Sequence, residues 1–196
     1  MIKDRLVILD NGHGKETPGK RSPLWSDGTQ LFEWEYTRNV VREVAQRLER
    51  NGIRYHILVP GDASPSLSVR AEMVNQLVSS EKVTPIMISV HCNAGGGTGW
   101  EIWTTTSKNN SDKLTQCFLD AYKEQFPNWS TKGHIEKLRG HKEKNWTILH
   151  LSNCPCVLTE NWFMDTESNC KWLLSDEGFD AVCTLHVNAI KKYLEE

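Results

Sequence analysis

Residues 5–14 read Arg-Leu-Val-Ile-Leu-Asp-Asn-Gly-His-Gly, an apolar run halted by a polar turn with a glycine on each side of a histidine. A run of that length, bounded by turn residues, reads as a buried strand handing over to a loop. A helical pattern follows. Tyr36, Val40, Val44 and Leu48 recur every four residues, and Val41 and Ala45 widen the stripe, as expected of a helix laid on a sheet. Working outward, the same alternation continues to the C-terminus. Strands are expected at 5–10, 53–59, 85–91, 99–104, 146–151 and 155–160, and helices at 33–51, 67–80, 108–125, 167–174 and 178–195. Repeated strand–helix–strand units specify an α/β fold: a mostly parallel, twisted sheet of about six strands with helices on both faces. At 196 residues the chain suits a single domain, 1–196, and is too short for two comfortable ones.

Charge narrows the function. With 23 basic and 25 acidic residues the formal net charge is −2, which gives no electrostatic case for a nucleic acid or an anionic membrane. The longest apolar runs are strand-length, so no membrane insertion is expected. The first residues, MIKDRLVILD, run from charge into a strand and lack the apolar core and cleavage site of a signal peptide. Six cysteines without an export signal read as reduced thiols rather than a disulfide framework. Cys154 and Cys156 flank a proline in a run expected to be a buried strand, where small thiols pack as small hydrophobes.

Two loops exceed what a compact fold needs, and long loops are often functional. The first spans roughly 14–31. The second, roughly 127–145, carries Lys132, Lys137, Arg139, Lys142 and Lys144 against Glu136 and Glu143. Both are candidate walls of a substrate groove, and a solvated excursion is the plain alternative for the second.

In open parallel sheets, ligands gather beyond the carboxyl ends of the strands, where residues distant in sequence share one pocket. His13 follows the strand LVILD, His91 ends IMISVH and Glu160 ends CVLTE. Glu33, one turn before Tyr36, continues the apolar face of the first helix. An inward carboxylate must be paired or metal-bound, because desolvating it alone is too costly. It also sits in the first turn, where the helix dipole favours negative charge. Glu35 shares a face with Arg38, Asn39 and Arg42, the usual solvated arrangement. Two imidazoles and a carboxylate form a common catalytic zinc set with a position left open. A turn histidine and a strand-end histidine are ordinary taken singly; the constellation is what points to Zn2+. Glu160, followed by Asn161, Trp162 and Phe163, sits beside large apolar rings. Its pKa should be raised, which suits a group that accepts and returns a proton. Asn11 and Asn93 are candidates to orient the ligands, or simply cap their own turns. His56 and His186 fit packing, His134, His141 and His150 lie in or beside the basic loop, and Arg70 and Asn75 look structural.

At these residues the chain resembles the zinc-dependent N-acetylmuramoyl-L-alanine amidases, a family of autolysins and endolysins. The resemblance covers nearly the whole chain, through LVILDNGHG, SLSVRAEMVNQL, ISVHCNA, GWEIW, PCVLTENWF and the MD…LLSDEG segment. It implies that His13, Glu33 and His91 bind Zn2+ and that Glu160 is the catalytic glutamate. It implies hydrolysis of the amide between N-acetylmuramic acid and L-alanine of the peptidoglycan stem peptide. The family's E-x-G-F-like motif has a glycine where this chain has Trp162, a departure expected to reshape the adjoining pocket. A zinc peptidase acting on wall peptides and an inactive peptidoglycan-binding module on the same scaffold are the competing readings. The expected partner is peptidoglycan, with the protein acting as a monomer. It is expected to be made in the cytoplasm and to reach the wall after lysis, or through an export signal absent from the sequence.

Overall fold

The strand ending in Asp10-Asn11 lies one place in from the edge of a six-stranded sheet in the computed structural model, which describes residues 4–107 and 110–195. In chain order the elements are β1 (Val7–Asn11), α1 (Glu33–Arg50), β2 (Tyr55–Ile57), α2 (Leu67–Ser80), β3 (Ile86–Asn93) and β4 (Trp100–Thr104). These are followed by α3 (Ser111–Gln125), β5 (Leu138–Glu143), α4 (Thr147–Leu151), β6 (Cys156–Phe163), α5 (Glu167–Leu174) and α6 (Asp176–Glu195). The expected helix over 108–125 is present from Ser111; positions 108 and 109 lie outside the described residues.

The sheet order is β2-β1-β3-β6-β4-β5. Every neighbouring pair is parallel except β4 with β6, which is antiparallel. Successive residues of the central strands alternate between two cores. Val7 and Leu9, with Ile86 and Ile88, face α1, α3 and α6, whereas Ile8, Met87 and Leu158 face α2 and α4. Both faces are therefore covered, which is why these strands read as continuous apolar runs rather than as alternating ones.

Two expectations fail. Residues 146–151 do not form a strand: Thr147–Leu151 is the short helix α4, packed on α2. The Asn75 amide of α2 donates to Leu151 O at 2.8 Å and its oxygen accepts from Asn153 N at 2.7 Å, closing this turn of chain against α2. The sixth strand is instead β5, inside the segment read as a basic loop. It is an edge strand with alternating half-buried and exposed residues, and charged side chains on such an edge discourage further pairing.

Because β4 runs against β6, its first residues lie at the end of the sheet where β1, β3 and β6 finish. Strand β5, parallel to β4, begins there too. The loops before β4 and β5 therefore flank the carboxyl ends of the parallel strands.

Candidate active site

His13, Glu33 and His91 converge at that end, each offering a ligand atom within 4.8 Å of the others. His13 stands in the β1–α1 turn with φ +59°, a left-handed conformation unusual for a residue with a side chain. Its carbonyl explains how the turn is held: Arg70 Nη2 donates to it at 2.9 Å and Arg38 Nη1 at 3.1 Å. Arg70 also bonds Asn11 O and the buried carboxylate of Asp10, whose other oxygen accepts from Ser89 Oγ at 2.6 Å. Gly12 is required by proximity, since a Cβ there would stand 2.6 Å from two ring atoms of His91. Arg38, expected on the solvated face of α1, is buried and spans the carbonyls of Gly61 and Ala63 as well.

Glu33 opens α1 and is 1 % exposed, whereas Glu35 is exposed. Its Oε1 lies 3.4 Å from His13 Nε2 and 3.2 Å from His91 Nδ1, and it accepts from Cys92 N at 3.1 Å. Burial opposes its ionisation, but the bonds with His13 and His91 prevail and hold the carboxyl well below the usual range. Burial lowers the pKa of His13, favouring the neutral form that ligates metals. His91 is pushed up: its burial is outweighed by the Glu33 carboxylate, so a proton and a cation would compete for this position. The two imidazoles meet edge to face, with centroids 4.9 Å apart.

Glu160 lies next to His91 in the β3–β6 register and next to Glu101 in the β4–β6 register. It is 9 % exposed, and burial, opposed by His91, pushes its pKa up to about 7. A cavity of about 320 Å³ is lined by all four residues together with Lys20, Trp146 and Met164. Within it Glu33 Oε2 and Glu160 Oε2 are buried and have no hydrogen-bond partner among the described residues. Two orphaned carboxylate oxygens in one cavity are groups that a cation or a proton would satisfy. The separations of 3.2 and 3.4 Å match the edge of a tetrahedron with bonds of about 2.0–2.1 Å, the length usual for zinc. The donor set therefore fits a divalent metal.

Directly after Glu160 the sheet is irregular. Two steps along β3, from His91 to Asn93, correspond to three along β6, from Glu160 to Phe163. The extra residue makes a β-bulge, and Trp162 within it adopts φ +57°, where glycine is the ordinary occupant. Its ring is fully buried among Tyr122, Phe126 and Trp172, and Nε1 donates to Ile135 O at 2.6 Å. The indole thus reshapes the interior under the bulge rather than the cavity, and ties the 127–138 segment to β6.

Other residues take different places from those expected. Asn93 bonds Glu101 Oε1 at 2.8 Å and Ala94 N rather than a ligand. Asn11, with its amide oriented to satisfy both partners, donates to Val59 O and accepts from Arg38. The asparagine that touches the backbone of a candidate ligand is Asn161, donating to His91 O at 2.8 Å; its place directly after Glu160 is the one signal in the sequence. Glu101, not singled out in the sequence, is a buried carboxylate bonded to Asn93, Trp103, Arg139 and Lys142. His186 is buried against Thr159, as packing required, whereas His56 is exposed. His134 accepts from Glu136 N and His141 pairs with Thr104, and neither lines the cavity. The free cysteines are buried except Cys154, which is half-buried just before β6, and burial pushes the Cys156 thiol up to about 12. No described helix is long and apolar enough to cross a membrane.

A model of the N-acetylmuramoyl-L-alanine amidase family matches residues 7–192. The sporulation-specific N-acetylmuramoyl-L-alanine amidase of Bacillus subtilis is 25% identical over 95% of this chain and 67% of its own length. The endolysin of Bacillus phage SPP1 is 27% identical over 97% of this chain and 66% of its own. The chain thus spans about two thirds of the length of these curated relatives. The crystal structure of an N-acetylmuramoyl-L-alanine amidase from Clostridium difficile 630 superimposes with a TM-score of 0.83 at 24% identity, covering 99% of this chain and 98% of that one, and shares the fold.

Proposed function

Because the chain belongs to the N-acetylmuramoyl-L-alanine amidase family, we propose that it hydrolyses the amide joining the lactyl group of N-acetylmuramic acid to L-alanine in peptidoglycan stem peptides. The whole span, 1–196, then acts as one catalytic domain. The observation that carries the reading is the meeting of His13, Glu33 and His91 beside a buried Glu160, with one orphaned oxygen on each glutamate.

His13, Glu33 and His91 would hold zinc, leaving a coordination position free. Bound zinc supplies Lewis acidity, acidifying a water and polarising the scissile carbonyl. Glu33 stays ionised because its neighbours hold its pKa down. The Arg38–Arg70 clamp on His13 O keeps the turn, and so the ring, in place. Glu160 takes the proton of the attacking water and hands it to the departing alanine amine, which would otherwise be a poor leaving group. A carboxyl raised to about 7 by burial is matched to both halves of that transfer. Asn161, through His91 O, couples the strand bearing this acid to the strand bearing a ligand. The substrate supports a site of action at the cell wall, and a monomer suffices, since one chain supplies all four groups.

The test is a digest of purified peptidoglycan by zinc-loaded wild type and Glu160→Gln, assaying new L-alanine amino termini and new reducing sugar ends. Alanine termini without reducing ends, from wild type only, are expected. New termini inside the stem would establish a peptidase instead. Bound zinc with no new termini would leave a wall-binding module.

A further inference from the structure

A second groove opens at the same end of the sheet, in a cavity of about 480 Å³ between the loop before β4, the start of α5 and the segment leading into β5. Its wall combines Lys132, Lys137 and Arg139 with the hydroxyl-bearing Thr98, Thr166 and Ser168, and none of its lining residues is acidic. Acids near in sequence face elsewhere: Asp165 accepts from the amides of Gly95 and Gly96, and Glu136 from Asn128 N. Neither Lys132 nor Lys137 has an ion pair among the described residues.

Arg139 is the built part of this groove. Its Nε donates to Glu101 Oε2 at 2.7 Å, and its guanidinium lies 4.9 Å from the centroid of the Phe163 ring. Neither Nη nitrogen has a hydrogen-bond partner among the described residues. A buried carboxylate, 3 % exposed, thus anchors an exposed guanidinium whose remaining donors are unused. A guanidinium anchored this way presents a planar fork suited to an oxyanion. Glu101 also carries Lys142, so that lysine is spent on the same carboxylate. The other oxygen of Glu101 accepts from Asn93, which lines the cavity of His13, Glu33 and Glu160. The contacts Asn93–Glu101–Arg139 therefore place groove and candidate active site side by side.

We propose that this groove is an anion subsite taking a free carboxylate of the stem peptide, with Arg139 as its recognising fork and Lys132 and Lys137 as flanking charges. The assignment rests on the amidase reading, which puts a carboxylate-bearing peptide on one side of the scissile bond. It makes the groove a determinant of which stems are cut.

The experiment compares two soluble muramoyl-peptides, identical except that the stem carboxyls are free in one and amidated in the other. Wild type, Arg139→Gln and the double variant Lys132→Gln/Lys137→Gln are each tested zinc-loaded. Wild type should favour the free acid by about tenfold or more in kcat/KM, the scale of a hydrogen bond to a charged partner. Most of that should lie in KM and weaken with added salt. Arg139→Gln should lose the preference and the double variant should weaken it, each read as the ratio of kcat/KM for the two peptides within one variant. Calorimetric binding of the isolated free-acid and amidated stem tetrapeptides reads the same preference without cleavage. Equal handling of the two peptides by wild type in both assays would overturn the groove proposal, as would a preference that survives undiminished in Arg139→Gln. A binding preference without cleavage of either muramoyl-peptide would sustain the groove and sink the amidase reading.

Discussion

Replacing Trp162 by glycine, the residue the bulge geometry would ordinarily select, sets two structural terms against each other. Glycine removes the left-handed penalty at φ +57°, about 1–2 kcal/mol. It also removes a fully buried indole packed on Tyr122, Phe126 and Trp172. Large aromatic-to-small changes of that kind cost about 3–5 kcal/mol. The lost bond from Nε1 to Ile135 O adds roughly 1 kcal/mol, and the freer unfolded chain of glycine about 0.5–1 kcal/mol more. Burial wins, with a net loss of roughly 3–5 kcal/mol. Urea unfolding followed by far-ultraviolet circular dichroism should show a midpoint lower by roughly 1–2 M with the slope unchanged. Trp162→Phe, which keeps a ring and the strain but loses the N–H, should fall between wild type and Trp162→Gly. A glycine variant as stable as wild type, or more so, would refute the view that packing holds this bulge.

Three further outcomes are expected. Glu33→Gln should weaken zinc binding by more than the roughly 10–100-fold that outer partners of a metal site contribute, read as metal content after dialysis against a graded chelator. Arg70→Leu leaves the Asp10 carboxylate buried without its cation, which should cost about 3–5 kcal/mol. Arg70→Lys, able to keep Asp10 but not both carbonyls, should cost less and still lower zinc affinity; equal affinity would dismiss the clamp on His13. In metal-free protein, a Glu160 pKa raised to about 7 means that the folded state holds this proton more tightly than the unfolded chain. Its contribution is full below about pH 4.5 and is lost as pH rises through about 7, a swing of roughly 3 kcal/mol. Wild type should therefore lose stability relative to Glu160→Gln across that interval, and parallel pH curves would remove the argument for a raised carboxyl.

The parts of the molecule legible in the sequence are those governed by local pattern. The β1 run, the α1 stripe and the inward Glu33 follow from periodicity alone, and periodicity predicts which residues share a face. Trp-Thr-Ile-Leu-His-Leu at 146–151 is ambiguous, because a short, mostly apolar run satisfies a strand and a short helix equally. Partners distant in sequence favour α4: α2 packs on it, and Asn75 bonds the chain just after it. Strand β5 was invisible as a strand because an edge carries charge instead of an apolar run. Arg38 and Glu101 show a different limit. Each sits at a position whose local pattern says little, and each is defined by partners brought up by the sheet: the carbonyls of His13 and Gly61 for one, Arg139 and Lys142 for the other. Of the charges in the basic segment, expected as a candidate groove wall, Lys142 is committed to Glu101 and Arg139 only through its Nε.

The order β3-β6-β4 bears on how this protein can be made. Strands β3 and β4 are consecutive in the chain, yet β6 lies between them. While a ribosome is still extending the chain toward residue 156, both strands would carry an open edge where β6 belongs, and such edges invite wrong partners. Nor could Glu160 reach His91 at that stage. The candidate site therefore cannot be complete before β6 has been made, and a chain ending before residue 156 should be inert on peptidoglycan.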